Sequence, residues 1–154
     1  MLGRLSHADI EEVLYNNVMG RIGCSDGERN YIVPISYIYD GQYIIAHSIS
    51  GMKIDMMRKN PNVCFEVDEI KDHTNWRSVI VWGSYEELED EREKQEAMKL
   101  FVNKTMRLKI SETAILPERT EKRVHPRSPG FIKPIIYRIH VTEKTGRFEN
   151  SDNI

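Results

Sequence analysis

Cysteine is scarce in this 154-residue chain: only Cys24 and Cys64 occur. They stand far apart, each within an expected strand. Neither belongs to a C-x-x-C pair or lies beside a histidine at ligand spacing. Both are read as reduced core residues, which argues against a cysteine-based metal site. No apolar run approaches the ~20 residues that cross a bilayer. Met1 to His7 has no long apolar segment of the secretory kind, so the expected location is the cytoplasm. One-sided charge is also missing. The formal net charge is -2, which argues against an electrostatic grip on nucleic acid. There is no G-x-G-x-x-G fingerprint, no internal repeat and no low-complexity tract. No pair of the five histidines has metal-ligand spacing. What remains is 40% hydrophobic and 30% charged residues, the composition of one domain that buries a real core. Residues 1–154 are read as that single domain, with a polar tail from Glu143 expected to fray.

Ser6 opens a helix, with Asp9 three residues on as in a capping box. Leu5 and Ile10 are spaced as a hydrophobic staple. Ile10, Val13 and Leu14 form its apolar stripe, and it ends near Asn16-Asn17. Three strands follow, Met19–Cys24, Arg29–Tyr39 and Gln42–His47. Asp26-Gly27 and Asp40-Gly41 supply turns that need positive φ, so the three read as an antiparallel meander. Met52–Lys59 is a short helix closed by Asn60-Pro61-Asn62. Val63–Val67 is a fourth strand. Trp76–Leu88 is a fifth, where Val79, Val81 and Gly83 alternate with Ser78, Ile80 and Trp82. Asp90 and Glu93 start a charged helix whose buried stripe includes Ala97, Leu100 and Phe101. Residues 108–127 read as irregular. Phe131–Val141 is the sixth strand, with Ile135, Tyr137, Ile139 and Val141 on one face. Six strands with three peripheral helices predict a mainly β fold, a small antiparallel barrel, closed or partly open.

The densest chemistry lies between Tyr43 and Lys53. A strand ends in Ser48, Ser50 and Gly51, and a helix begins at once. The serines can cap the helix, Gly51 admits close approach of a ligand, and the helix start offers N–H groups and a positive dipole end. Lys53 adds a full charge there. Together these describe a phosphate site; a plain N-cap beside a solvated lysine accounts for the same residues. Pro34 interrupts Tyr31-Ile32-Val33-Pro34-Ile35-Ser36-Tyr37 and marks an edge or a bulge, where backbone groups are free for a flat heteroaromatic ring. Edge protection alone explains it equally. Arg77, opening the long strand after Trp76, has the guanidinium fork that grips phosphate, or is a surface residue.

These stretches, with Met19-Gly20-Arg21-Ile22-Gly23 and Asn60-Pro61-Asn62-Val63-Cys64-Phe65-Glu66-Val67, resemble the pyridoxamine 5'-phosphate oxidase-like flavoproteins, and most of all their nitroimidazole-resistance branch. The resemblance runs from about Leu5 to Glu149. It implies a six-stranded split β-barrel, homodimeric, with FMN at two interface sites. By position, Pro34, Ile35, Ser36 and Tyr37 would line the isoalloxazine. His47 and Ser48 would lie beside the ring and ribityl chain, Met52 and Lys53 at the phosphate. Arg77 and Ser78 would approach from the later strand. The oxidases proper carry Arg-Lys where this chain has Met52-Lys53. A second phosphate charge must then come from Arg77, Arg58 or the partner subunit. Their C-terminal Arg-x-His also has no clear counterpart, although Arg138 and His140 show the two residue types. Pyridoxamine phosphate is thus a doubtful substrate.

Three functions are weighed. The first is an FMN-dependent oxidoreductase acting on a small, flat, electron-poor compound such as a nitroimidazole, with His47 as proton donor or orienting group. The second is a dimer that holds FMN, or a deazaflavin or tetrapyrrole-like cofactor, without turnover. The third is a β-barrel interaction module without flavin.

Overall fold

The structure, a computed structural model, describes residues 1–107 and 133–151. The expected irregular segment 108–127 lies outside the described residues. Among the described residues, eight strands and three helices run in the order β1 (Leu2–Arg4), α1 (His7–Asn16), β2 (Met19–Ser25), β3 (Asn30–Ser36), β4 (Ile38–Tyr39), β5 (Tyr43–Ser48), α2 (Met52–Lys59), β6 (Asn62–Asp72), β7 (Asn75–Glu87), α3 (Glu91–Arg107) and β8 (Ile135–Glu149).

Local chemistry sets the starts and turns. The Ser6 hydroxyl accepts the Asp9 N–H at 3.1 Å, and the Asp9 carboxylate accepts the Ser6 N–H at 3.2 Å. That reciprocal cap fixes α1, whose Ile10, Val13 and Leu14 are buried. Asp26 accepts the N–H groups of Glu28 and Arg29, while Gly27 takes φ 97°. Asp40 does the same for Gln42 and Tyr43, with Gly41 at φ 100°. Both turns combine an Asp side chain that mimics the backbone with a glycine free to go left-handed.

The sheet is antiparallel, in the order β3-β2-β6-β7-β8-β5-β4, with β1 added to β8. Its two end strands, β3 and β4, are consecutive in the chain and separated only by Tyr37. The ends of this open sheet therefore come together at that residue, with no ladder between them among the described residues. The expected meander is corrected here: among the described residues β3 pairs with β2 alone and β4 with β5 alone. Tyr37 makes the break. It is buried, its N–H donates to the Val18 carbonyl at 3.1 Å, and its hydroxyl donates to the Leu14 carbonyl at 2.7 Å. Bonding to the end of α1 takes it out of the ladder.

The count of six strands becomes eight through that split and through β1. The tail does not fray at Glu143. Residues 143–149 pair with β7, and the last three also with β1. Its polarity reflects outward positions, while Gly146 is buried where a Cβ would meet Leu5 and Ile10 at 2.8 and 2.9 Å.

Two apolar layers result. The larger, on the inner face of the sheet, holds Ile22, Phe65, Val67, Val79, Val81, Tyr137 and Ile139, among others. A smaller outer layer packs α3 onto the sheet through Ile38, Ile45, Leu88, Ala97, Phe101 and Ile136. Leu100, expected in the buried stripe, is exposed. Ala97 and Phe101, one turn apart, take the sheet side and leave Leu100 at the rim. Among the described residues no helix is long and apolar enough to cross a membrane.

Candidate functional site

The segment from β5 into α2 forms the candidate anion site. Within β5, His47 pairs with Ile136 and Ser48 with Ile135. Beyond the strand, Gly51 is the N-cap of α2, in extended backbone, and makes no side-chain cap bond. The serines do not cap the helix as expected: the Ser48 hydroxyl donates to the Ile49 carbonyl at 2.9 Å. Helical bonding begins with the Asp55 N–H donating to the Gly51 carbonyl at 3.1 Å. The N–H groups of Met52, Lys53 and Ile54 thus have no acceptor within the helix.

Lys53 is half-buried in that first turn. Among the described residues no carboxylate forms an ion pair with it. Burial pushes its ammonium below the ordinary lysine range, offset in part by the nearby Cys24 thiol. A cation at a helix N-terminus opposes the dipole unless an anion joins it. The helix is anchored from below by Ile54, Met56 and Met57, with Met56 Sδ 3.9 Å from Cys24 Sγ.

On the other flank, β3 is an end strand of the sheet. Pro34 makes neither bulge nor gap: the β2–β3 register runs unbroken from Met19 opposite Ser36 to Ser25 opposite Asn30. An unbroken ladder requires the proline nitrogen to face the free edge. By the same alternation the N–H and C=O of Ser36 also face that edge. Pro34 and Ser36 are exposed, whereas the Ile35 and Tyr37 side chains turn into the core. Where the sheet ends come together, β3 comes against β5. His47 is half-buried, and its ring meets Phe101 of α3 edge-on at 5.0 Å.

Arg77 and Ser78 do not join this group within one chain. Arg77 pairs with Phe148 in the β7–β8 ladder, at the far end of β8 from Ile135, the partner of Ser48. Arg77 Nε donates to Glu69 at 2.5 Å, and a terminal nitrogen donates to Glu12 at 3.2 Å. These bonds raise its already high pKa. Burial alone raises the Glu69 carboxyl, but Arg77 and Asn17 outweigh that and leave it below the ordinary range. The Ser78 hydroxyl donates to Glu66 at 2.9 Å. Arg58 is tied to Glu87 by contacts of 2.5 and 3.3 Å.

The outer sheet face shows a feature that the sequence reading missed. Cross-strand register sets Ile32, Gly23, Cys64 and Trp82 in one row, and Pro34, Arg21, Glu66 and Ile80 in the next. Ile32 is 71% exposed and Trp82 39%. The signal was available: these residues hold the outward phase of strands whose inward phase is already apolar. Among the described residues no group of three or more His, Cys, Asp or Glu side chains is placed to hold a metal.

Comparison with known proteins bears on this arrangement. The family profile described as pyridoxamine 5'-phosphate oxidase matches residues 6–148. An uncharacterised protein of Rhizobium meliloti (strain 1021) is 36% identical over 84 residues, 54% of this chain, and the match spans 56% of that relative's length. A FAD-binding protein from Mesorhizobium loti is 28% identical, with a TM-score of 0.72 over 97% of this chain and 99% of its own. A FAD-binding protein of Mycobacterium smegmatis is 23% identical, with a TM-score of 0.63 over 96% of this chain and 98% of its own. A protein of Bacteroides thetaiotaomicron, provisionally described as a 5-nitroimidazole antibiotic resistance protein, is 21% identical with a TM-score of 0.70. That match covers 96% of this chain and 87% of the other.

Proposed function

Because the chain belongs to the pyridoxamine 5'-phosphate oxidase family, we propose that it binds a flavin, FMN, and works as an oxidoreductase on a small, flat, electron-poor compound. The observation that carries this reading is the start of α2. Three N–H groups without helical acceptors and a half-buried lysine without a carboxylate partner among the described residues suit a phosphate group. The FAD-binding protein of Mesorhizobium loti, similar over nearly its whole length, supports a flavin.

Lys53 would supply the phosphate charge, with Met52 beside it. Ser36 would offer main-chain groups to the ring edge, with Pro34 and Ile35 as its wall. The hydroxyl and N–H of Tyr37 are committed to α1 and the loop after it, so its part would be to hold that wall in place. Bound flavin supplies the redox chemistry. His47, with Ser48 at the same strand end, would hold or deliver a proton to an acceptor such as a nitroimidazole, while Phe101 fixes its ring plane.

A homodimer is part of the proposal. Arg77 and Ser78, remote from Lys53 in their own chain, would serve the flavin of the partner subunit across the exposed apolar face. Pyridoxamine phosphate oxidation is less well supported. Arg138 is paired with Glu86 and stacked on Tyr43, and the His140 ring lies 5.3 Å from the same tyrosine.

The test is the visible spectrum of purified protein after FMN is added and excess removed, followed by the same on Lys53→Ala. One flavin per chain is expected in the parent. Lys53→Ala should weaken it by ~1.5–3 kcal/mol, the worth of a charge-assisted contact. Unchanged affinity removes Lys53 from the site, and colourless parent protein ends the flavin reading. Reoxidation of the reduced protein by a nitro compound then separates turnover from mere binding.

A further inference from the structure

A second half-buried lysine lies on the other side of the Tyr37 break. Lys104 of α3 reaches inward, and its ammonium donates to the Asn17 carbonyl at 2.6 Å and more distantly to the Tyr37 carbonyl at 3.4 Å. It also lies 4.7 Å from the centre of the Tyr37 ring. Two of its three N–H donors are thus used, and the third has no partner among the described residues. No carboxylate pairs with it there either. Glu11 is committed to Lys144 and to the Tyr39 hydroxyl, and one Asp40 oxygen is held by the N–H groups of Gln42 and Tyr43.

Beside this ammonium is a cleft of about 450 Å³ between α1, the β4–β5 turn and α3. Tyr15 and Tyr39 form one wall, their rings 4.9 Å apart and tilted by 56°. Ile38 and Leu100 add apolar surface, and the Asn103 amide lies next to the lysine on α3. Glu11 and Gly41 pin the Tyr39 hydroxyl, so that ring is a fixed surface. The Asp40 carboxylate also lines the cleft, held by its own turn and forming no ion pair with Lys104. A slot with aromatic and aliphatic walls and an ammonium without a carboxylate partner among the described residues is matched by a flat ring whose one negative charge meets that ammonium.

We propose that this cleft is a binding site for a small aromatic carboxylate, with the acid group on Lys104 and the ring against Tyr15 and Tyr39. It shares no lining residue with the turn around Lys53, and it meets the proposed flavin wall only through Tyr37, whose carbonyl and ring contact Lys104.

Calorimetric titration of the protein as purified with benzoate tests this, with benzamidine as a cation of similar shape. Saturable binding of about one benzoate per chain and none of benzamidine are expected. Lys104→Met, which keeps the aliphatic stem, should weaken benzoate about tenfold or more, as loss of a charged hydrogen bond does. Tyr15→Ala, at an exposed position that does not threaten the fold, should weaken it severalfold. Excess FMN should leave benzoate in place. The proposal is overturned by absence of binding up to about 10 mM, by equal affinity in both variants, or by displacement with FMN. The last outcome would move the carboxylate into the flavin site, so the two readings fail separately.

Discussion

Lys53 and Lys104 are both half-buried lysines, and their surroundings give them different work. Lys53 stands in a first turn whose N–H groups lack helical acceptors, and that positive helix end deepens its need for an anion. Lys104 faces two carbonyls and an aromatic ring, which offset part of its burial. Burial still pushes its ammonium down to about 8, from an ordinary 10.5. Between those values the unfolded chain holds the proton and the folded chain has released it. Stability from Lys104 therefore rises as pH climbs through about 8 toward 10.5. Urea midpoints at pH 7.5 and 9.5 should show this rise in the parent and lose it in Lys104→Met; identical slopes would mean that Lys104 titrates normally. The two lysines also differ in how readily sequence betrays them. Lys53 stands two residues after Gly51 at a strand-to-helix junction, a local pattern with a local meaning. Lys104 sits among charges on a helix, and its burial depends on Asn17, 87 positions earlier in the chain.

At the scale of elements, short-range chemistry was legible. The bounds of α2, the two Asp-Gly turns and the alternation in β7 all emerged as read. So did the capping box at Ser6, where the energy is open to measurement. Ser6→Ala removes one half of a reciprocal cap on an exposed helix end and should cost about 1 kcal/mol of stability. Asp9→Ala should match it, and the double variant should fall well short of their sum, since each change breaks the same pair. The misread elements share a cause. The break at Tyr37, the short β1 and the second half of β8 exist because of partners far away in sequence: Leu14 for the first, Phe148 and its neighbours for the second, β7 for the third. A polar run such as Glu143 to Glu149 carries no periodic signal of its own when one face is solvent and glycine occupies the inward position. The candidate site divided the same way. The strand-to-helix junction at Gly51 was legible, while the distance of Arg77 from Lys53 depended on strand order that no local pattern encodes.

At the scale of the whole molecule, strand order also governs how the chain reaches this state. Its longest ladder, β7 on β8, joins Trp76 to Glu149 and Glu87 to Tyr137, so every partner is at least fifty residues away. Loop closure of that length must be completed before the ladder returns any stabilisation. Hairpins β2–β3 and β6–β7 can form early from neighbouring sequence, but until β8 docks their apolar faces remain open to water. Refolding from urea should accordingly take milliseconds to seconds, the range of domains dominated by non-local strand pairing. A microsecond main phase, followed by stopped-flow or temperature-jump fluorescence of the two tryptophans, would contradict this. Between the early hairpins and the arrival of β8 lies the interval in which this chain is most exposed to aggregation. Recovery on refolding should therefore fall as protein concentration rises.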